Sequence, residues 1–186
     1  MDQFAYTYPT STEIEGVRYD FMTDYRIGLI CMRINEDINI SDSERGSAIV
    51  ALLFNGKAPL VSESLEEAKW FLQCGLDDKQ QSQFVKDMDY FKDSRYISTS
   101  FMKDYGISLT NSSYMHWWEF NDLLRGLSED TELSRIREIR NYDLSTVKDW
   151  KLKKKIIDAK NKVALEQVRT EEEQQAINEF ERLFGD

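Results

Sequence analysis

Apolar residues recur along most of this chain at steps of three and four, the spacing of a buried helix face. Ile27, Ile30, Cys31, Ile34 and Ile38 make the first such stripe, which predicts a helix from Thr23 to about Asn35. Ser41-Asp-Ser-Glu44 has the form of a capping box, in which the serine accepts from an early amide and the glutamate reaches back. The helix it opens carries Ala48, Ile49, Leu52 and Leu53 on one face and stops at Asn55-Gly56, before Pro59. Ser64-Leu-Glu-Glu67 repeats the box. Leu65, Ala68, Phe71 and Leu72 then predict a helix from Leu65 to about Cys74, ended by Gly75.

Residues 76–86 are polar and weakly periodic and read as a loop. Met88, Phe91, Tyr96, Ile97, Phe101 and Tyr105 predict a helix from about Lys86 to Tyr105, closed by Gly106. Ile107-Ser-Leu109 is too short to argue for a strand. From Ser113 to Arg125 the inner face is Trp117, Phe120, Leu123 and Leu124, continued by Leu127. A further start at Ser128-Glu-Asp-Thr131 leads through Leu133, Ile136 and Ile139 to about Arg140. Asp143-Leu-Ser145 opens a last long segment.

The two ends differ from this body. Residues 1–19 are polar with scattered aromatics and read as an arm or short extended segment. Residues 146–186 change sign along their length, from KDWKLKKKIIDAKNK to TEEEQQAINEFERLFGD. Thr170-Glu-Glu-Glu173 is a third capping box, so a break near Arg169 is expected. Ala176, Ile177, Phe180, Leu183 and Phe184 form a terminal stripe that must dock on the chain's own core or on a partner. A continuous helix over 146–184 would reach roughly 58 Å at about 1.5 Å per residue, which leaves a hairpin or a projecting arm. The expected fold class is all-α: a compact bundle of six or seven helices over 20–145, with a long C-terminal helical segment.

Composition narrows the partners. Two prolines and eight glycines in 186 residues suit long helices. A formal charge of −10 repels phosphate backbones and argues against nucleic acid. The first ten residues lack the cationic start and apolar run of a signal peptide, and no stretch nears the ~20 apolar residues of a membrane span. A cytosolic protein is expected. Cys31 and Cys74 sit in apolar helical patterns with neither metal spacing nor a CxxC, and are expected to be reduced, buried thiols.

His116, the single histidine, is the natural suspect for catalysis or metal binding. It lies in Tyr114-Met-His-Trp-Trp-Glu-Phe120, with Glu119 three positions on and within reach of a local hydrogen bond. No second histidine, nucleophile motif or zinc motif accompanies it. The acidic pairs Asp77-Asp78 and Asp87-Met-Asp89 lack the glycine and terminal glutamate of a calcium loop. We expect no enzyme, no metal and no cofactor. Trp117 and Trp118 point about 100° apart on a helix. Trp117 joins the inward stripe; Trp118 flanks it, as a buried lid or as a partner contact.

Six segments carry a resemblance. They are Thr23-Asp-Tyr-Arg-Ile27, Ala68-Lys-Trp-Phe-Leu-Gln-Cys-Gly75, Ser100-Phe-Met-Lys-Asp-Tyr-Gly-Ile-Ser-Leu109, Met115-His-Trp-Trp-Glu-Phe120, Leu123-Leu-Arg-Gly-Leu-Ser128 and Arg140-Asn-Tyr-Asp-Leu144. Over about residues 20–150 the chain resembles small tail-module proteins of long-tailed phages and prophages of Gram-positive bacteria, encoded beside the tape measure gene. His116, Trp117, Glu119 and Phe120 form the signature block, read as core or interface. The chain departs from the pattern at Ser108, where an aspartate is expected, and in its acidic terminus. The resemblance implies a tail assembly chaperone that holds the tape measure protein soluble in the host cytoplasm and is absent from the mature virion. A structural tail or neck component retained in the virion is the alternative. The further partners it suggests are the major tail tube protein, a second tail chaperone and another copy of this chain. The candidate contacts are Trp118, Phe180, Leu183 and Phe184. No membrane partner is implied.

Overall fold

In the computed structural model, residues 7–76 and 87–165 are described. They fall into two compact units, Met1–Arg137 and Glu138–Asp186. Among the described residues there are seven α-helices, as the periodicity predicts, and one β-hairpin, which it does not.

The hairpin corrects the all-α expectation. Strand β1 (Ser11–Ile14) pairs antiparallel with β2 (Val17–Asp20), with Ser11 opposite Asp20 and Ile14 opposite Val17. Its two-residue turn, Glu15-Gly16, has φ of 49° and 77°. Both residues are left-handed, which matches the twist of a tight hairpin. Ile14 is fully buried. The hairpin is also held from outside: the Glu15 amide donates to Glu63 Oε2 at 2.8 Å and the Thr12 hydroxyl to Glu67 Oε2 at 2.6 Å.

Helix α1 (Tyr25–Asn35) starts two residues later than expected, because Asp24 is its cap and accepts from the Arg26 amide. It buries Tyr25, Gly28 and Cys31. Helix α2 (Asp42–Leu53) begins with the predicted box: Ser41 Oγ accepts from the Glu44 amide, and the Glu44 carboxylate accepts from the Ser41 amide at 2.8 Å. Helix α3 (Ser62–Leu72) does not use its predicted cap. Ser64 lies inside the helix, buried, and its hydroxyl donates to the Pro59 carbonyl at 2.6 Å.

Helix α4 (Ser94–Tyr105) is shorter than the apolar pattern implies. Asp89 accepts from the amides of Phe91 and Lys92, and the Asp89 amide donates to Asp93 Oδ2. Side-chain bonds of this kind compete with the helical ladder and delay the start. Gly106, at φ 67°, ends the helix as expected. Helix α5 (Trp117–Arg125) is capped by His116, and α6 spans Glu132–Asn141 with Thr131 Oγ1 accepting from the Ser134 amide.

The core of the first unit is an aromatic stack. Phe120 lies 4.9 Å from Tyr25, 5.3 Å from Phe101 and 5.9 Å from Trp117, all near parallel. A second pair, Phe21 and Phe71, stacks at 4.4 Å. Such pairs add to the burial of large apolar rings.

In the second unit a 3-10 turn (Leu144–Thr146) precedes helix α7 (Trp150–Val163), capped by Asp149. The Arg140 guanidinium donates to the Val163 carbonyl and Lys160 Nζ to the Tyr142 carbonyl. The helix expected to run on from Asp143 is therefore interrupted, and it ends at Val163. The predicted break near Arg169 and the Thr170 capping box lie outside the described residues.

Candidate functional site

The signature block is built as a clasp. Just before α5 the chain runs antiparallel to the entry of α1. The Tyr25 amide donates to the Met115 carbonyl at 2.9 Å and the Trp117 amide to the Thr23 carbonyl at 2.8 Å. This short pairing sets where α5 begins and which way Trp117 and Trp118 point.

Both indoles then reach the C-terminal end of α3. Trp117 Nε1 donates to the Leu72 carbonyl at 3.0 Å, and Trp118 Nε1 to the Phe71 carbonyl at 2.8 Å. The last carbonyls of a helix have no partner within it. Here the Trp117 indole, 45 residues downstream, satisfies the Leu72 carbonyl, and the Trp118 indole adds a second donor to the Phe71 carbonyl, which also accepts from the Cys74 amide. The approach of Trp117 requires Gly28: a Cβ there would stand 2.3 Å from the indole Cε3. Gly75, at φ 71°, lies beneath the Trp118 ring.

His116 holds the clasp at its other end. Its Nδ1 accepts from the Trp118 amide at 3.0 Å, so Nε2 carries the proton and donates to the Pro9 carbonyl at 3.0 Å. Tyr8 stacks on the imidazole at 5.0 Å, and Phe71 meets its edge. Burial holds its pKa below the usual value, against the opposing pull of the Pro9 carbonyl and Glu119. The anticipated bond to Glu119 is replaced by these two backbone contacts, and Glu119 faces solvent. With both ring nitrogens occupied, the imidazole is placed as a cap and a strut.

Trp117 and Phe120 are core residues, each about 1% exposed. Behind them, Asn121 donates to the Trp117 carbonyl and accepts from the Tyr90 hydroxyl at 2.8 Å. Burial drives that phenol up to about 12. Trp118 is half-buried beside Trp70 and Tyr8, which are 39% and 38% exposed. The three rings form a patch whose polar atoms are partly spoken for, since the Tyr8 hydroxyl donates to Asp122 Oδ2 at 3.1 Å. Phe180, Leu183 and Phe184 lie outside the described residues.

The two thiols are free: Cys31 is buried and Cys74 half-buried. Burial pushes both to about 12, so neither is an activated nucleophile at neutral pH. No group of three metal-ligating side chains occurs among the described residues, and no described helix is long and apolar enough to cross a membrane.

One surface feature was not foreseen. Helices α1, α2 and α3 enclose a groove of about 400 Å³. Met32, Ile49, Leu65, Ala68 and Leu72 line it with carbon, and polar side chains, among them Asn35 and Gln73, share the lining. Arg45 stands on its rim, paired with the Asp42 carboxylate and donating to the carbonyls of Asn35 and Asp37. Gly46 lets α2 approach α3, since a Cβ there would meet Leu65 Cδ2 at 2.9 Å. Periodicity marks each stripe separately; which three helices share a groove depends on their pairing.

A family model described as Bacteriophage Gp15 protein matches residues 6–165. The chain belongs to this bacteriophage protein family. The match takes in the hairpin, all seven described helices and the whole clasp. No curated protein and no solved structure matches the chain. Membership of the Gp15 family supports the phage part of the sequence-based expectation.

Proposed function

We propose that this member of the Gp15 family is a tail assembly chaperone that binds and solubilises the tape measure protein in the host cytoplasm. The tail-module resemblance supplies the partner. The groove between α1, α2 and α3 is the observation that supports it most directly. A groove lined by apolar side chains together with charged ones such as Asp42 and Arg45 suits one face of an amphipathic helix, anchored by side chains at helical spacing. A net charge of −10 would keep the resulting complex in solution. Reversible holding needs only a modest contact area. The reading gives His116 no bond-making role and requires no cofactor. The tube subunit, a second tail chaperone and a second copy remain partners of the same proposal.

The test is co-expression with the neighbouring tape measure gene. The wild-type chain should keep the tape measure protein soluble and co-purify with it. Leu65→Asp places a charge on the groove floor at a residue 41% exposed, and should abolish capture while preserving the fold. A Phe180→Ala, Phe184→Ala variant asks the same of the terminal stripe. Equal capture by all three proteins would remove both surfaces from the account. Proteomics of purified particles separates the chaperone from a retained tail or neck component: fixed stoichiometry in the virion would favour the latter.

A further inference from the structure

Helix α7 has an uncovered side. Ile156, Ala159 and Val163 are half-buried. Trp150 and Ile157 are not, at 68% and 39% exposed. Seven positions apart, they lie within about 20° of each other on the helix and about 10 Å apart along it, and Lys153 and Lys154 flank them about 40–60° to either side. From Lys148 to Lys162 seven lysines face two aspartates, a net charge of +5. The helix therefore presents an apolar strip between two rows of cations. A complementary surface is aromatic or aliphatic at its centre and acidic at its edges.

The first unit carries a surface of that description. Tyr8, Trp118 and Trp70 form the patch beside the clasp, with successive ring centroids 6.5 Å and 5.2 Å apart, a length of the same order as the strip. Carboxylates surround it. Asp122 accepts from the Tyr8 hydroxyl, and Glu119 is exposed one position after Trp118. Glu66 and Glu67 precede Trp70 by four and three positions, on its side of α3. The Tyr8 phenol is pushed up to about 12, by burial first and then by Asp122 and Glu119. Across residues 66–70 and 118–125 four carboxylates face two cations, Lys69 and Arg125. Over residues 1–137 there are 23 acidic and 14 basic side chains, a net charge of −9. The groove of α1, α2 and α3 is a poorer seat for a basic helix, because Arg45 and Lys69 outnumber Asp42 in its lining.

We infer that helix α7 of a second copy docks on the Tyr8, Trp118 and Trp70 patch, with Trp150 and Ile157 against the rings and Lys153 and Lys154 beside Glu66, Glu119 and Asp122. Each copy carries both halves, so two copies exchange the contact reciprocally and close a dimer. The pairing covers exposed tryptophans on both sides and brings the basic helix to the acidic body. It stands apart from the proposed capture of a tape measure helix in the groove, and either can fail without the other.

Sedimentation velocity on the full-length protein alone, between about 1 and 200 µM, tests the pairing over the range that suits a small charged interface. The wild type should pass from monomer to dimer. Its dissociation constant should rise at least about tenfold between about 50 mM and 0.5 M salt, as exposed charge pairs are screened. Glu66→Lys, Glu119→Lys reverses the charge of the patch, and Lys153→Glu, Lys154→Glu that of the helix; all four residues are exposed. Each double variant alone should dimerise at least about tenfold more weakly than wild type. Mixed one to one, the two should pair as tightly as wild type, because the reversed patch meets the reversed helix. A variant that had merely unfolded gives no such rescue. Wild type that stays monomeric throughout overturns the inference. So does either double variant dimerising as wild type does, or a mixture without rescue.

Discussion

Replacing Gly28 with alanine sets two effects of known size against each other. Gly28 is in the middle of α1, where alanine ordinarily gains about 0.5–1 kcal/mol over glycine. The added methyl, however, would sit 2.3 Å from Cε3 and 2.4 Å from Cδ2 of Trp117. Those are ring atoms of a side chain that is 1% exposed and fixed by its bond to the Leu72 carbonyl. The indole cannot swing away without losing that bond and its stack on Phe120. Overpacking costs about 1–3 kcal/mol, and the orphaned carbonyl with its donor about 1–3 kcal/mol more. Steric cost therefore wins, with a net loss of about 1–5 kcal/mol. With an m value of about 2 kcal/mol/M, the urea midpoint should fall by about 0.5–2.5 M, followed by near-ultraviolet circular dichroism of the aromatic core. In a Trp117→Leu background the same glycine change should cost far less, because the clashing ring is gone. A Gly28→Ala protein as stable as wild type would refute the account of the clasp.

Two further outcomes follow from the caps. Ser41→Ala removes one half of the α2 capping box and should cost about 1 kcal/mol in urea denaturation, with Glu44→Ala giving a similar, non-additive loss. His116 has a folded pKa held below the ~6.5 of the unfolded chain. The unfolded state therefore takes up the proton first, and the stability this group contributes above pH 7 is lost as pH falls through 6.5 toward 5. His116→Asn keeps a capping acceptor without the titration. Its thermal midpoint should change less between pH 7 and pH 5 than that of wild type, and an identical slope would show that the imidazole is not the group responsible.

The helices were largely legible because each buries one stripe. The Ser41 box, the Gly106 exit and the inward placing of Trp117 and Phe120 follow from local rules that the tertiary structure leaves intact. The failures have physical causes. The hairpin's turn is Glu15-Gly16, which puts a glutamate at positive φ, whereas the strongest sequence signals use asparagine or aspartate there. Ser64 looked like a cap, but its hydroxyl is spent on Pro59. The start of α4 was set by Asp89 and Asp93 rather than by Met88 and Phe91. His116 gave a signal as a candidate base; its role as cap and strut depends on Pro9, 107 positions away, a distance no local pattern spans. The groove is likewise a property of helix pairing.

The clasp also has a consequence for synthesis. The indole of Trp117 closes the end of α3 across 45 residues of chain. At about 5–20 residues per second on the ribosome, α3 must wait roughly 2–9 seconds before its closing partner is even polymerised. Throughout that interval the nascent chain carries Phe71 and the C-terminal end of α3 without their cover. Slow codons between α3 and α5 would lengthen the exposure, and with it the window in which a half-made copy can adhere to its neighbours on the same message.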